Sequence, residues 1–301
     1  MKTLKDLGEF PLIRAIRSRC RVDSSVVLGI GDDCAVLRRR RGMYELITAD
    51  MLVENVHFVR TQQPEAVGHK LIACSLSDIA AMGGAPRHAV VSLGLPPDLP
   101  CTYVQALYRG MNRTAAAFGV SVVGGDTNSA PLVICNVTLT GEVEPNRFVR
   151  RTGARPGDEI FVTGCLGGSA AGRHLLFTPR VSEGRFLAVN VRPHAMIDIS
   201  DGLLQDLGHI TRGSGVAAVL EAAAIPVCAE AAGISDALET GEDFELLFTV
   251  APAAGRKLRQ QWPFPDVPLT RIGVITAGRG IRLRGLDGRL RARAARGFRH
   301  F

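Results

Sequence analysis

The sequence predicts a two-domain α/β protein, and three observations support this fold class. The chain has 301 residues, which is long for one hydrophobic core, so two domains of ordinary size are expected. In both halves, segments with the apolar pattern of strands alternate with segments of helical period. Residues 150–158, rich in glycine, proline and charge, are the best candidate for a linker. We therefore expect an N-terminal domain over residues 1–148 and a C-terminal α/β domain over residues 149–301.

The first half predicts strands and helices in turn. Residues 44–50 predict a strand that ends at Asp50. Residues 64–82 predict a helix, because apolar side chains recur at intervals of three and four, and Gly83-Gly84 is typical of a helix end. The other predicted elements are a short amphipathic helix beginning at 10–16, strands at 88–93, 120–123 and 132–140, and a helix at about 102–118.

The second half opens with a predicted strand at 159–163, after which Gly167-Gly168-Ser169 leads into a short helix. Residues 195–202 predict a strand that runs into a turn. The helix predicted next, at 203–212, carries its apolar side chains on one face. Further strands are predicted at 217–220, 245–250 and 272–275.

The basic excess of the chain does not indicate a nucleic-acid partner. The formal net charge is +7, but much of it lies in two regions, residues 38–41 and 282–299. A nucleic-acid interface would require interleaved aromatic residues or a known binding module, and the sequence has neither. We expect solvated basic faces that can help to attract a phosphorylated substrate.

Neither a membrane partner nor secretion is expected. The longest apolar runs are interrupted well before membrane-spanning length, and the N-terminus shows no signal peptide. The seven cysteines are scattered, odd in number and never spaced as CxxC, which argues against a disulfide framework and against a zinc site. We therefore expect a cytoplasmic protein in which most cysteines are small buried hydrophobic residues.

Carboxylates recur where predicted strands end. Each one alone is a common turn or cap residue, but four such turns in one chain favour a shared metal site, since ligands gather at strand ends in α/β folds. Asp78 adds a separate indication, because a negative charge in the last turn of a helix opposes the helix dipole by roughly 0.3–1 kcal/mol. A nearby cation would explain it, and so would simple solvation. The four strand-end groups are Asp32 with Asp33, Asp50, Asp126, and Asp198 with Asp201.

These carboxylates have no histidine or cysteine partners, which suits Mg²⁺ or another hard divalent ion and not zinc. Magnesium held by carboxylates commonly also contacts substrate phosphates. The sequence has no GxxxxGK[ST] loop and no protein-kinase motif set. The helix start at Gly167-Gly168-Ser169 offers backbone N–H groups to a phosphate, although it is a weak motif by itself.

The motifs, taken in order, resemble those of the thiamine-monophosphate kinase family, within the superfamily that includes aminoimidazole ribonucleotide synthetase and selenophosphate synthetase. The resemblance covers nearly the whole chain. The more specific features are the VHF, GEDFEL and C-terminal motifs. The matching stretches are GIGDDCAVL at 29–37, Asp50 with NVHF at 55–58, LSD at 76–78, MGG at 82–84, GGD at 124–126, RTGARPGD at 151–158, DISDG at 198–202, GEDFEL at 241–246 and GFRHF at 297–301.

This resemblance implies ATP-dependent phosphorylation of thiamine monophosphate to thiamine diphosphate by a homodimer with mixed sheets, whose N-terminal domains pair and whose acidic residues hold several Mg²⁺ ions. Family members use no protein nucleophile. The implied metal ligands are Asp33, Thr48, Asp50, Asp78, Asp126, Asp198 and Asp201. The implied ATP contacts are Gly125, Asp126, Arg151 and Ser200, and the implied thiamine-phosphate contacts are His57, Glu242 and Phe298.

Without the resemblance, several of these residues would have plainer interpretations. His57 would be a core histidine, Phe298 a hydrophobic anchor, and Arg151 and Glu242 surface ion-pair partners. The chain also departs from the family pattern at Ala49, where a threonine is usual, at Ser75, where an asparagine is usual, and in a shortened segment before Asp198. Two alternatives stay open: another ATP-dependent enzyme of the superfamily, and a non-catalytic protein that binds a nucleotide or thiamine phosphate.

Overall fold

A computed structural model describes residues 4–20, 23–39, 42–298 and 300. Four residues of the predicted basic regions and C-terminal motif, Arg40, Arg41, Arg299 and Phe301, lie outside this part of the chain. The helices are α1 (Leu4–Leu7), α2 (Glu9–Arg17), α3 (Pro64–Ala81), α4 (Cys101–Ala117), α5 (Val181–Phe186), α6 (Leu203–Ser214), α7 (Ile234–Glu239) and α8 (Pro252–Gln261). No helix of the described residues is both long enough and apolar enough to cross a bilayer.

The strands form two sheets. The first has six strands in the order β1-β2-β3-β6-β4-β5, antiparallel except for the parallel pair β4 and β5. Its strands are β1 (Val26–Leu28), β2 (Ala35–Arg38), β3 (Tyr44–Val53), β4 (Ala85–Leu95), β5 (Ser121–Ser129) and β6 (Ile134–Val143).

The second sheet has seven strands in the order β13-β12-β9-β11-β7-β10-β8, with β9 and β12 parallel and the other pairs antiparallel. Its strands are β7 (Glu159–Thr163), β8 (Ala195–Asp198), β9 (Ala217–Glu221), β10 (Leu246–Val250), β11 (Leu269–Thr276), β12 (Gly280–Arg284) and β13 (Leu290–Arg293). Two mixed sheets with flanking helices confirm the predicted α/β class.

Helix α3 is the element that both halves share. Pro64 starts it without losing a needed N–H group, and the chain leaves it at Gly83, whose φ is 71°. It packs on α4 through two glycines: a Cβ on Gly68 would lie 2.1 Å from the Leu107 carbonyl oxygen, and one on Gly110 would lie 1.9 Å from that of Glu65. On its other side Ala80 and Ala81 belong to a core cluster with Phe161 and Phe248 of the second sheet. Its burial on almost all sides explains its apolar composition.

Two predicted strand ends are wrong. Strand β3 continues three residues past Asp50, and β5 runs through Gly124, Gly125 and Asp126, which the sequence suggested to be a turn. Glycine at position 125 allows the backbones of β5 and β4 to approach closely, because a Cβ on it would lie 1.8 Å from the Val91 carbonyl oxygen of β4. Asp50 and Asp126 are therefore strand residues, whereas Asp198 ends β8 as predicted.

The cysteine expectation needs a correction as well. Cys165 and Cys228 form a disulfide, although their spacing carries no sign of one. Parallel bridging of Leu166 with Val227 brings the two segments together. Cys34, Cys74 and Cys135 are buried as expected.

The shortened segment before Asp198 is compact. Residues Ser169–Ala171 and Arg173–Leu175 form 3-10 turns, and α5 continues into a π-helical turn at Leu187–Val191. In α5, Gly184 lets the backbone approach α3, since a Cβ on it would lie 2.2 Å from the Ala80 carbonyl oxygen. The boundary between residues 148 and 149 and the pairing of N-terminal domains stay predictions.

Candidate active site

Three of the predicted ligands meet at the junction of the two sheets. Carboxylate oxygens of Asp33, Asp78 and Asp198 all lie within 4.8 Å of one another. Asp33 comes from the loop between β1 and β2, Asp78 from the last turn of α3, and Asp198 from the end of β8. Asp78 follows Asp33 by 45 positions in the sequence, and Asp198 follows Asp78 by 120. The three carboxylates nevertheless form one acidic group, which we call the aspartate cluster.

The electrostatics of the aspartate cluster favour a bound cation. Burial raises the pKa of Asp78 well above its ordinary value, and the carboxylates of Asp50, Asp198 and Asp33 raise it further. Burial, with repulsion from Asp33, raises the pKa of Asp198 to about 7. Carboxyl groups that repel one another in a buried site ionise readily only when a positive charge compensates them.

Arg151 supplies part of that compensation. Its Nη2 donates to Oδ1 of Asp33, and its Nε lies 3.5 Å from Oδ1 of Asp32. Burial lowers the pKa of Arg151, but the two carboxylates outweigh it and the net shift is upward. The pKa of Asp32 is still raised to about 7, by burial and by its neighbour Asp33. One guanidinium therefore does not neutralise the whole group.

Hydroxyl groups orient the carboxylates. Thr48 Oγ1 donates to Asp78, Ser75 Oγ donates to Asp50, and Ser77 Oγ donates to Oδ2 of Asp198 across 2.6 Å. Ser75, where the family usually has asparagine, thus bonds directly to a predicted ligand. The sequence reasoning did not select Ser77, although its place beside Asp78 in the LSD motif was a usable signal.

The residues fit a hard divalent cation. Oδ2 of Asp33 is buried and has no hydrogen-bond partner in the described structure, so it is available to a ligand. The donors nearby are carboxylate and hydroxyl oxygens, which Mg²⁺ prefers over the nitrogen and sulfur ligands of zinc.

A polar cavity of about 550 Å³ opens onto the aspartate cluster. Asp33, Asp78, Asp198 and Arg151 line one part of it, together with Ser200 and Asp201 after β8. Phe10, Ile13 and Arg14 of α2 line another part. The cavity thus combines acidic, basic and apolar groups, as a magnesium-bound nucleotide would require.

A second cavity of about 950 Å³ lies beside the first. Ser200 and Asp201 line both cavities. All three predicted thiamine-phosphate contacts line the second one: His57 follows β3, Glu242 precedes β10, and Phe298 lies near the C-terminus. The rings of Phe298 and His57 lie 6.3 Å apart between centroids. Two adjoining cavities with a shared wall are an arrangement suited to two substrates.

Gly125 and Asp126 are separated from this site in the single chain. Along the register, Asp50 pairs with Val137, Val137 with Val91, and Val91 with Gly125. Three steps between strands amount to ~14 Å. Among the described residues, neither Gly125 nor Asp126 lines the two cavities, and Asp126 accepts a hydrogen bond from Asn128 at 2.7 Å.

A second acidic group lies next to the first cavity. Asp201, Asp206 and His209 bring ligand atoms within 4.8 Å of one another. Asp206, which the sequence reasoning missed, accepts the backbone N–H groups of Asp201 at 3.1 Å and Gly202 at 3.0 Å. Its local role is to hold the turn that starts α6, so it orients Asp201 instead of opening a separate site.

Comparison with known proteins identifies the relationship. The family model for the AIR synthase related protein, N-terminal domain, matches residues 31–143, and the model for the C-terminal domain matches residues 155–285. Thiamine-monophosphate kinase from Bacillus subtilis is 36% identical over 298 residues, which is 89% of this chain and 91% of that protein. The chain belongs to the thiamine-monophosphate kinase family.

Other family members agree with this assignment. The thiamine-monophosphate kinase of Aquifex aeolicus is 37% identical over 310 residues, covering 94% of this chain and 96% of that protein. The solved structure of AaThiL complexed with AMPPCP and TMP matches with a TM-score of 0.87 and 35% identity over 100% of this chain and 99% of that chain. The predicted membership of the thiamine-monophosphate kinase family is therefore confirmed.

Proposed function

We propose that this kinase transfers the γ-phosphoryl group of ATP to thiamine monophosphate, forming thiamine diphosphate. The observation that carries this proposal is the position of the aspartate cluster beside two cavities that share Ser200 and Asp201. The match to AaThiL complexed with AMPPCP and TMP supports this substrate pair. The polar cavity would hold ATP and the larger cavity thiamine monophosphate.

In the polar cavity, Asp33, Asp78 and Asp198 would hold Mg²⁺, with Thr48, Asp50 and Asp201 as the neighbouring predicted ligands. Bound Mg²⁺ would neutralise charge on the phosphate oxygens of ATP and of the transition state. Arg151, fixed by Asp32 and Asp33, would contact the nucleotide phosphates, and Ser200 would lie between the two substrates.

In the larger cavity, Phe298 would stack on the cationic thiazolium ring, and Glu242 would complement its charge. His57 is oriented by a hydrogen bond from the Val53 backbone N–H to its Nδ1 at 3.0 Å. The lowered pKa of His57, caused by burial and by the charge of Lys70, keeps its ring neutral near pH 7. A neutral His57 can pack against a cation without repelling it.

The chemistry needs no protein nucleophile. An oxygen of the substrate's own phosphate attacks the γ-phosphorus of ATP, the bond from this phosphorus to the β-γ bridging oxygen breaks, and ADP leaves. The protein's part is to hold the two substrates in line and to exclude water, which is where most of the rate enhancement of such transfers arises.

Asp126 and Gly125 enter the proposal through a homodimer. Strand β5 is the edge of its sheet, and most of its residues are exposed. Met51, Val90 and Val123 are exposed apolar residues on β3, β4 and β5. Burial of this surface against a second copy would cover the open edge and carry Asp126 towards the partner's site.

A cytoplasmic location is proposed from the relatives' reaction and is tested by cell fractionation.

The direct test incubates the protein with ATP, Mg²⁺ and thiamine monophosphate and measures thiamine diphosphate by chromatography. Product formation that depends on Mg²⁺ supports the proposal. ATP turnover only with a different small substrate would indicate another superfamily activity. Binding of both ligands by calorimetry without turnover would indicate a non-catalytic protein. Ala49 lies on the opposite face of β3 from Thr48 and Asp50, because successive side chains along a strand alternate, and it lines the larger cavity.

A further inference from the structure

Lys70 is a lysine buried completely inside the protein, with 0% of its surface exposed. It belongs to α3, two turns before Asp78, and neither its charge nor its position was singled out by the sequence motifs. An isolated buried ammonium group is strongly unfavourable, so such a residue must be paired. Its partners therefore indicate what it does.

The ammonium group has three neighbours in hydrogen-bonding range. Lys70 Nζ donates to the carbonyl oxygen of His57 across 2.9 Å, lies 2.7 Å from Nδ1 of His174, and donates to Oε1 of Glu242. These three acceptors match its three N–H bonds. Acceptance of one N–H bond by Nδ1 leaves His174 uncharged, with its own proton on Nε2.

The three partners come from three different walls of the larger cavity. His57 follows β3, His174 lies in the shortened segment, and Glu242 lies in the loop before β10, and all three line the cavity. Glu242 and Phe244 have φ values of 55° and 51°, a conformation that costs about 1 kcal/mol or more for each non-glycine residue. Such a loop persists only where its surroundings hold it.

We propose that Lys70 is a positioning residue that fixes the Glu242 carboxylate for the cationic substrate. The proposal rests on the proposed function of the larger cavity and adds to it a residue that touches no substrate. Lys70 donates to Oε1 from the interior, while Oε2 receives no hydrogen bond from the unprotonated Nδ1 of His174. The side chain of Glu242 keeps 31% of its surface exposed, so one carboxylate is both anchored and presented to the cavity.

A purely structural role would give a different result. Lys70 also connects α3 to the C-terminal half, so its loss will lower stability whatever its role is. A positioning residue for Glu242 will in addition change the binding of thiamine monophosphate while leaving ATP binding intact, because Glu242 lines only the larger cavity, the one proposed for thiamine monophosphate.

The test compares Lys70→Met with Arg180→Met. Arg180 is the control: it is a partly buried base, with 17% of its side chain exposed, that bonds a buried carboxylate of the same loop, Glu245, at 2.6 and 2.7 Å, yet it lines neither cavity. We expect Lys70→Met to raise the KM for thiamine monophosphate about tenfold, the effect of losing one charge-assisted contact, with the KM for ATP within about twofold of the wild type. Arg180→Met is expected to lower the Tm without this change in KM.

A double variant keeps the test decisive if Lys70→Met fails to fold. Lys70→Met with Glu242→Gln removes both charges of the ion pair together, which is far less destabilising than leaving a buried charge unpaired. If Lys70 acts through Glu242, the double variant has the same KM for thiamine monophosphate as Glu242→Gln alone. A higher KM in the double variant, or equal changes in both KM values for Lys70→Met, would overturn the proposal. Absence of thiamine diphosphate with the wild type would instead overturn the proposed function.

Discussion

Ser77 Oγ donates a hydrogen bond to Oδ2 of Asp198 across 2.6 Å, and both residues are buried. This contact joins the helix of the first sheet to a strand end of the second sheet. It places Asp198 beside Asp78, the next residue after Ser77, and so helps to build the aspartate cluster. Assembly of the site and docking of the two halves are therefore one structural event.

The first prediction concerns this bond. Ser77→Ala leaves Asp198 without its donor and is expected to raise the Mg²⁺ concentration for half-maximal activity about tenfold to a hundredfold, since a hydrogen bond to a charged group contributes roughly 1.5–3 kcal/mol. The measurement is a Mg²⁺ titration of thiamine diphosphate formation. Thr163→Val is the matched control, because Thr163 Oγ1 donates to buried Glu245 at 2.7 Å, away from the cluster. An equal Mg²⁺ requirement in both variants would contradict this role of Ser77.

The second prediction concerns the acidic motif itself. Asp33→Asn is expected to lower kcat on the order of 10²-fold or more, because it removes a charged ligand from the transition-state environment, while the circular dichroism spectrum stays unchanged. Asp98→Asn is the control, because Asp98 is exposed and the same loss of one negative charge there should leave kcat unchanged. Full activity of Asp33→Asn would exclude Asp33 as a metal ligand.

The third prediction is a pH dependence of stability. The pKa values of Asp32 and Asp198 are raised from 3.8 to about 7, so the folded protein binds more protons than the unfolded chain between these values. The contribution of these carboxyl groups to the stability of the metal-free protein therefore falls as pH rises from about 4 to about 7, whereas histidines with a lowered pKa, such as His209, contribute in the opposite direction. Added Mg²⁺ is expected to raise the Tm mainly at the upper end of this range, where the carboxylates are charged.

This dependence is measured by thermal unfolding at pH 5.5 and 7.5 with Mg²⁺ or with a chelator. For a protein of this size, each kcal/mol corresponds to a Tm shift of at most about 2–4 °C. Asp78→Asn removes one repelling charge, so it should raise the Tm of the metal-free protein at pH 7.5 and reduce the gain from Mg²⁺. If the Tm gain of metal-free Asp78→Asn over the wild type were no larger at pH 7.5 than at pH 5.5, the raised pKa values of the aspartate cluster would be contradicted.

The fourth prediction tests whether Asp126 acts in the partner's site. If it does, Asp33→Asn and Asp126→Asn are each inactive as homodimers, but a mixed dimer regains one intact site. Random mixing should then restore about a quarter of the wild-type activity, since half of the dimers are mixed and each has one of two sites. The measurement is activity after co-expression of the two variants. No recovery in dimers shown to be mixed would mean that Asp126 and Asp33 of the same chain act in one site, and would contradict the prediction.

The fifth prediction concerns Phe298, whose surface is 39% exposed at the larger cavity. Phe298→Ala is expected to raise the KM for thiamine monophosphate about fivefold to tenfold, in line with a cation–π contact of about 1 kcal/mol. The KM for ATP should stay the same. Phe298→Tyr keeps the aromatic face and should restore the affinity. Loss of stability without any change in KM would identify Phe298 as a hydrophobic anchor.

The bounds of helices and strands were well predicted where the spacing of apolar residues and a glycine or proline at the end determine them within a few residues. The helix predicted at 64–82 is Pro64–Ala81, and the strand predicted at 159–163 is Glu159–Thr163. Asp126 was misjudged because two glycines in a row are typical of a turn. Gly125 is required because the backbone of Val91, on the neighbouring strand, lies too close for a side chain. Local sequence patterns do not specify which strand is the neighbour. The pairing of Cys165 with Cys228 was missed for a similar reason, since 63 residues separate them.

The sequence by itself determined the alternation of the main strands and helices, the oxygen character of the ligands and the family of the chain. These properties depend on residue type and on spacing within one element or motif. Only the tertiary structure decided that Asp33, Asp78 and Asp198 converge, that Asp126 lies on a distant edge, and that Lys70 anchors Glu242. Convergence depends on how two sheets dock across α3, and docking arises from contacts between residues far apart in the chain. The GIGDD motif is thus one part of a site that exists only when both halves are folded together.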